Sequence, residues 1–136
     1  MEFFSKDEMK EIVAFNLWIL QDYLSNMDIN VSFSHYEFDK RLDNFQSDIF
    51  AESDKGQKIW IFCQKQSNIP DNLVKFINSI LHNEQNIIIW IAERWNPKVL
   101  DVAREINKNC GREIIYPLRI QFKPKEERNY MLNLPK

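Results

Sequence analysis

The sequence predicts a mixed α/β fold in which helices cover both faces of one sheet, in the order αβββαβαβ. Three observations predict this fold. A capping box opens a long amphipathic segment at the start of the chain, and a hairpin turn at 53–56 separates two strand-like segments. The third is a continuous apolar run, Ile87–Ala92, typical of a central strand buried on both faces.

The first helix is predicted to begin at Ser5, because Ser5 and Glu8 have the spacing of a capping box. Apolar residues then follow at helical spacing, at Met9, Val13, Leu17, Leu20, Leu24 and Met27. The polar stretch at 25–30 is expected to end the helix. A second apolar stripe contains Ile12, Phe15, Trp18, Ile19 and Tyr23. The helix must therefore be covered on two sides, and we expect either a homodimer or the tail 128–136 to supply the second cover.

Three strands are expected next, as an antiparallel meander. They are predicted at Val31–Phe38, Phe45–Glu52 and Lys58–Gln64, and a polar turn at 39–44 separates the first two. Gly56 can adopt the positive φ that a tight turn requires, so the second and third strands should pair as a hairpin.

The second half of the chain changes to crossover connections. Pro70 is expected to open a second helix, and Asn96–Asn109 is expected to form a third helix that ends at Gly111. Ile114–Phe122 should form the last strand, where Pro117 requires either an edge position or a bulge.

Composition predicts one domain over residues 1–136. The 136 residues are 44% hydrophobic and 13% aromatic, enough for one sizeable core. No apolar run reaches the roughly 18 residues of a spanning helix, and the first residues do not resemble a signal peptide, so we expect a cytoplasmic protein and no membrane partner. Cys63 and Cys110 lie far apart in sequence and predict neither a disulfide framework nor a cysteine zinc site.

The formal net charge of −2 means that nucleic-acid binding would need a local basic patch. The best candidate runs from Arg94 through Lys98 and Arg104, with further basic residues at Lys108, Arg112, Lys123, Lys125 and Arg128. The simpler interpretation is an ordinary solvated helix face, since Asp101 and Glu105 interrupt the stretch.

In its element order and in the residues of its hairpin, the chain resembles the PD-(D/E)XK, or restriction-endonuclease-like, nuclease superfamily. Asp48 matches the first acidic ligand of that motif and Lys65 matches its lysine. The segment Ile89-Trp90-Ile91-Ala92-Glu93 resembles a "WIAE" strand found in small bacterial and archaeal members that are related to the nuclease domain of a mismatch endonuclease.

The resemblance implies a Mg²⁺ or Mn²⁺ site at Asp48 and a water oriented by Lys65. Cys63 stands where the second acidic ligand is expected, and a soft sulfur ligand is poorly matched to a hard cation. Carboxylates from neighbouring elements are candidates to replace it, namely Glu11 on the first helix, Glu52, Asp71 and Glu93. Nothing in the sequence selects among them.

We therefore expect a restriction-endonuclease-like protein with impaired catalysis that acts by binding, and its partner is either nucleic acid or another protein. One alternative is a metal-dependent DNA endonuclease that uses Asp48, Lys65 and a relocated acidic ligand. A second alternative is a structural subunit of a dimer.

Overall fold

The computed structural model of the chain describes residues 4–42, 44–83 and 86–135. Four helices are present in these ranges: α1 Lys6–Phe15, α2 Leu17–Ser25, α3 Leu73–Ile80 and α4 Pro97–Cys110. The strands are β1 Phe33–Phe38, β2 Arg41–Leu42, β3 Phe45–Gln46, β4 Ile49–Ser53, β5 Lys58–Gln66, β6 Asn86–Arg94, β7 Ile115–Phe122 and β8 Tyr130–Asn133. A 3-10 turn at Lys125–Glu127 precedes the last strand.

Six strands form one mixed sheet in the order β1-β4-β5-β6-β7-β8. The β1–β4, β4–β5 and β7–β8 pairs are antiparallel, whereas β5, β6 and β7 run parallel to one another. The predicted fold class is confirmed: an antiparallel meander continues into crossover strands, and the sheet with its helices is compatible with a restriction-endonuclease-like fold. The carboxyl ends of β5, β6 and β7 consequently lie at the same edge of the sheet.

Two apolar layers hold helices against opposite faces of the sheet. One layer joins α1 and α2 to residues such as Ile61, Cys63 and Ile91, and the other joins α3 and α4 to residues such as Trp60 and Trp90. Side chains along β5 and β6 alternate between the two layers, as expected for strands buried on both faces. No helix in the described ranges has the length and hydrophobicity that crossing a bilayer requires.

The prediction of one long first helix is wrong in one respect, because the helix is divided at Asn16. The Asn16 side-chain amide donates to the carbonyl of Ile12 at 3.0 Å and to that of Arg128 at 2.9 Å. The backbone of Asn16 is no longer helical, with φ −125° and ψ 41°. A short polar side chain that hydrogen-bonds nearby carbonyls competes with the helix, which accounts for the break.

The tail covers part of the first helices within a single chain. Tyr130 at the start of β8 is buried, and its hydroxyl donates to the carbonyl of Asn16 at 2.7 Å. Ile12 is fully buried, and Ile19 and Tyr23 pack against the same core. Of the apolar stripe defined from sequence, Phe15 and Trp18 stay largely exposed, at 59% and 57%.

One other local prediction needs correction. The prediction of only a turn at 39–44 is wrong, because this segment contains β2, which pairs with β3; residue 43 lies outside the described residues. The edge position predicted for Pro117 is found, although β7 as a whole lies between β6 and β8. The strand β8 pairs only with Arg119 to Phe122, so Pro117 has one neighbouring strand and its missing N–H is tolerated.

Candidate functional site

The hairpin formed by β4 and β5 brings Asp48 and Cys63 together. Asp48 directly precedes β4, and its backbone N–H donates to the carbonyl of Ile61 at 3.1 Å. Its carboxylate Oδ2 accepts a hydrogen bond from the backbone N–H of Cys63 at 2.8 Å. The aspartate side chain thus continues the ladder of hydrogen bonds where the β4 backbone ends, and one carboxylate oxygen is committed to the hairpin.

A lysine from α1 holds the other oxygen of this carboxylate. Lys6 Nζ lies 3.2 Å from Asp48 Oδ1, and the Asp48 side chain is only 17% exposed. The helix therefore places an ammonium group against the carboxylate that the resemblance assigns to a metal ion.

A second lysine lies one helical turn further along α1. Lys10 is buried, and its Nζ donates to Asp39, whose own backbone N–H donates to the Asp48 carbonyl at 3.1 Å. Burial lowers the pKa of Lys10, but the hydrogen bond from Lys10 to Asp39 and the attraction of that carboxylate outweigh it, so the pKa of Lys10 is raised overall. Lys10 is therefore cationic near neutral pH.

Cys63 is a fully buried thiol beneath α1. Burial raises its pKa far above the ordinary value, and the negative charge of Asp48 raises it further. The thiol is protonated, and a protonated thiol is a poor ligand for a hard cation. Nowhere in residues 4–42, 44–83 and 86–135 do three His, Cys, Asp or Glu side chains form a group suited to a metal ion.

The four replacement carboxylates lie in different places. Glu11 is on α1 but pairs with Arg128, at 3.6 Å. Glu52 pairs with Lys58 next to the hairpin turn, at the opposite end of β4 from Asp48. Asp71 is exposed and precedes α3. Glu93 lies on β6 between the residues paired with Gln64 and Gln66, so it is the acid nearest to the level of Lys65.

Lys65 lies two residues beyond Cys63 on β5, on the same face of the strand, but its side chain is exposed. No hydrogen bond or ion pair joins it to Asp48 within the part of the chain that the structure describes. Lys65 instead lines a groove at the carboxyl ends of β5, β6 and β7.

We call this concavity the basic groove. It has a volume of about 790 Å³, and its charged lining consists of one acid, Glu93, and five basic residues: Lys65, Arg94, Arg119, Lys123 and Lys125. Its remaining lining residues include the aromatic rings of Phe4 and Phe122. The groove lies where ligands commonly bind in α/β sheets, outside the carboxyl ends of parallel strands.

Most of the positive charge in the basic groove is not neutralised. Lys125 pairs with Glu8 of α1 at 3.6 Å. The other four basic side chains have no ion pair within the described residues, and the buried Nε of Arg119 has no hydrogen-bond partner there. The groove therefore attracts anions although the whole chain carries a net charge of −2.

The basic residues proposed from sequence lie in different surroundings. Arg94 lines the basic groove, Lys98 is exposed on α4, and Arg104 lines a different pocket beside Glu113 and Tyr116. Arg112 has a structural role, because its guanidinium donates to the carbonyls of Asn86, Leu81 and Asn83.

Sequence reasoning missed Lys6, Lys10 and Arg119. Lys6 and Lys10 lie one helical turn apart on α1, and that spacing was the available signal that both lysines face the same neighbour. Arg119 had no such signal, since its place in the groove depends on the pairing of β7 between β6 and β8.

Comparison with known proteins finds similarity to a solved structure. The chain is similar to SfsA from Pyrococcus furiosus, solved in complex with Ca²⁺, with a TM-score of 0.50 and 13% sequence identity. The match covers 90% of this chain and 62% of that chain, so this chain spans less than two thirds of the length of SfsA. No protein-family model matches the sequence, and no curated protein matches it. At this identity, the similarity establishes a shared fold and extends to no residue or activity.

Proposed function

We propose that this chain is a degenerate member of the PD-(D/E)XK superfamily that binds nucleic acid through the basic groove and lacks metal-dependent cleavage at Asp48. The observation that carries the binding function is the groove itself. Four basic side chains that have no acidic partner among the described residues lie at the carboxyl ends of three parallel strands. Phosphate groups are the ligands that such a concentration of lysine and arginine favours.

The surroundings of Asp48 support the loss of catalysis. A divalent cation of the Mg²⁺ type needs several oxygen ligands, whereas here one carboxylate oxygen accepts the Cys63 N–H and the other faces Lys6. The second position holds a buried, protonated thiol. The residues present do not fit Mg²⁺ or Mn²⁺. The Lys6 ammonium instead supplies the positive charge beside Asp48.

Binding is tested by fluorescence anisotropy with labelled oligonucleotides at several salt concentrations. Lys65→Glu and Lys123→Glu should each weaken binding about tenfold or more, because each replaces a groove cation by an anion. The salt dependence of the affinity should also become shallower in both variants. Lys75→Glu is the matched control, since Lys75 is an exposed lysine on α3, outside the basic groove.

The outcome of this experiment separates the two candidate basic surfaces. Loss of binding in Lys98→Glu and Arg104→Glu, with no loss in the groove variants, would place the contact on α4 and overturn the groove assignment. No salt-sensitive binding to any oligonucleotide would contradict the proposed function as a whole.

Catalysis is tested separately with plasmid and single-stranded DNA in Mg²⁺ and in Mn²⁺. The natural protein should cleave no faster than Asp48→Ala. Cleavage that depends on Asp48 and on Glu93 would favour an endonuclease with a relocated acid, since Glu93 is the groove acid level with Lys65.

Self-association is a second candidate function, favoured by one observation. Phe15 and Trp18 flank the break at Asn16 and expose most of their side chains, at 59% and 57%. Aromatic residues are enriched at protein contact surfaces. A two-fold dimer through these rings is the simplest arrangement that would cover both.

A further inference from the structure

We infer that the basic groove selects single-stranded nucleic acid, with Phe122 as a surface on which a base stacks. This inference rests on the proposed function and names the form of the nucleic acid. Aromatic and basic residues together line the groove, with Phe4, Phe122 and Ile120 among the basic side chains. That combination suits a ligand that offers both phosphates and accessible base faces.

Phe122 supplies the accessible ring surface. It is the last residue of β7 and is only partly buried, whereas Phe4 is 7% exposed. The two ring centroids are 4.8 Å apart with their planes tilted by 44°. Phe4 therefore supports Phe122 from within the core and fixes its position, so a stacking base would meet a ring that is already ordered.

Several basic side chains line the groove together with this ring. Lys123 follows Phe122 directly, and Lys65 and Arg94 come from the adjacent ends of β5 and β6. Arg119 adds a guanidinium whose buried Nε has no partner within the described residues. A short single strand can thus place phosphates against the cations while one of its bases contacts Phe122.

A duplex suits this site less well. Its bases are already stacked and paired, and its sequence is read by elements that protrude into a groove of the DNA. Here the cations line a concavity of about 790 Å³, which has the size of a small-molecule site and admits a few nucleotides of a flexible strand. The stacking surface contributes to affinity only when a base face is free.

Competition anisotropy with an oligothymidine of about twelve nucleotides, the corresponding duplex, and inorganic polyphosphate tests the inference. We expect the single strand to bind about tenfold or more tightly than the duplex and to outcompete polyphosphate of equal charge. Phe122→Leu, which keeps an apolar side chain against Phe4, should weaken single-strand binding about fivefold or more and leave duplex binding unchanged. Phe122→Tyr should retain the affinity, and circular dichroism melting should show that both variants fold.

The other outcomes are distinct. Equal affinity for single strand and duplex, competition by polyphosphate as strong as by the oligonucleotide, or an unchanged Phe122→Leu would overturn the stacking inference while lysine-dependent binding persists. Absence of all nucleic-acid binding would instead overturn the proposed function.

Discussion

The carboxylate of Asp48 and the backbone N–H of Cys63 are joined by a hydrogen bond of 2.8 Å, which closes the open end of the β4–β5 hairpin. Asp48 is therefore a structural residue of the hairpin. Asp48→Ala should lower the free energy of unfolding by roughly 1–3 kcal/mol, because it leaves a buried N–H without its acceptor. Urea unfolding measures this. Asp54→Ala, at an exposed position in the turn, is the control and should unfold like the natural protein. Equal stability of all three proteins would contradict the structural role.

Cys63→Glu places a carboxyl group in a fully buried position beside Asp48. We expect the melting temperature to fall, because a buried acid must either lose its charge or remain unpaired. The double variant Cys63→Glu/Lys6→Ala also lacks the Lys6 ammonium, which competes with a metal ion for Asp48. In this variant Mn²⁺ should bind and raise the melting temperature.

Cys63→Gln/Lys6→Ala is the matched control, since it has the same shape without the second charge and should not respond to Mn²⁺. Stabilisation of the natural protein by Mn²⁺ would show that the present residues do accept a cation.

The Lys10–Asp39 pair predicts the pH dependence of stability. The hydrogen bond from Lys10 lowers the pKa of Asp39 below its ordinary 3.8, and the pKa of Lys10 is raised above its ordinary 10.5. An acid whose pKa is lowered by folding stabilises the folded state at pH values above its pKa in the unfolded chain, and this stabilisation is lost as the pH falls. A lysine whose pKa is raised by folding stabilises the folded state at pH values below its pKa in the unfolded chain, and this stabilisation is lost as the pH rises through its pKa in the folded state. The contribution of the pair is therefore constant between about pH 5 and about pH 9.

Lys10→Met should remove part of the acid sensitivity, as measured by urea unfolding at about pH 3 and about pH 6. The effect should be modest, because the Asp39 side chain is 49% exposed. A stability difference between the two pH values that is identical in the natural protein and in Lys10→Met would contradict this assignment.

The break at Asn16 depends on a side chain that joins the first helices to the tail. Asn16→Ala removes hydrogen bonds to Ile12 and Arg128, and we expect a loss of roughly 1–2 kcal/mol in the free energy of unfolding. Asn26→Ala, at an exposed asparagine after α2, is the control and should have little effect. If the two variants unfold alike, the bridge to Arg128 contributes nothing.

Light scattering tests self-association at micromolar concentration. A dimer through Phe15 and Trp18 predicts a mass twice 16.4 kDa, and Trp18→Glu should return the mass to 16.4 kDa because a charge would be buried in the contact. Lys75→Glu, on a remote helix, should leave the mass unchanged. A natural protein of 16.4 kDa would overturn the dimer.

The main elements of the fold could be predicted because their signals are local. The capping box at Ser5, the turn at Gly56 and the helix end at Gly111, where φ is +72°, all lie where the sequence placed them. The break at Asn16 could not be predicted, because its partner Arg128 lies 112 residues away in sequence. β8 was missed for the same reason, since four residues become a strand only through pairing with β7.

In the candidate site too, the contacts set by local sequence could be predicted and those set by tertiary packing could not. The meeting of Asp48 and Cys63 follows from hairpin register, which the turn determines. The pairing of Lys6 with Asp48 and the position of Arg119 in the basic groove depend on tertiary packing, and a single sequence carries little trace of such contacts. The groove was therefore visible only in part from sequence, through Arg94, Lys123 and Lys125.

The hydrogen bond from Tyr130 to Asn16 spans 114 residues of sequence and joins the start of the fold to its end. On the ribosome, the first helices emerge long before the strand that covers them. At typical synthesis rates, roughly 6 to 23 seconds separate the two, and the apolar face of α1 and α2 is without its final cover for that time. Chaperones that recognise exposed apolar segments should therefore bind newly made chains of this protein until Tyr130 has been released from the ribosome.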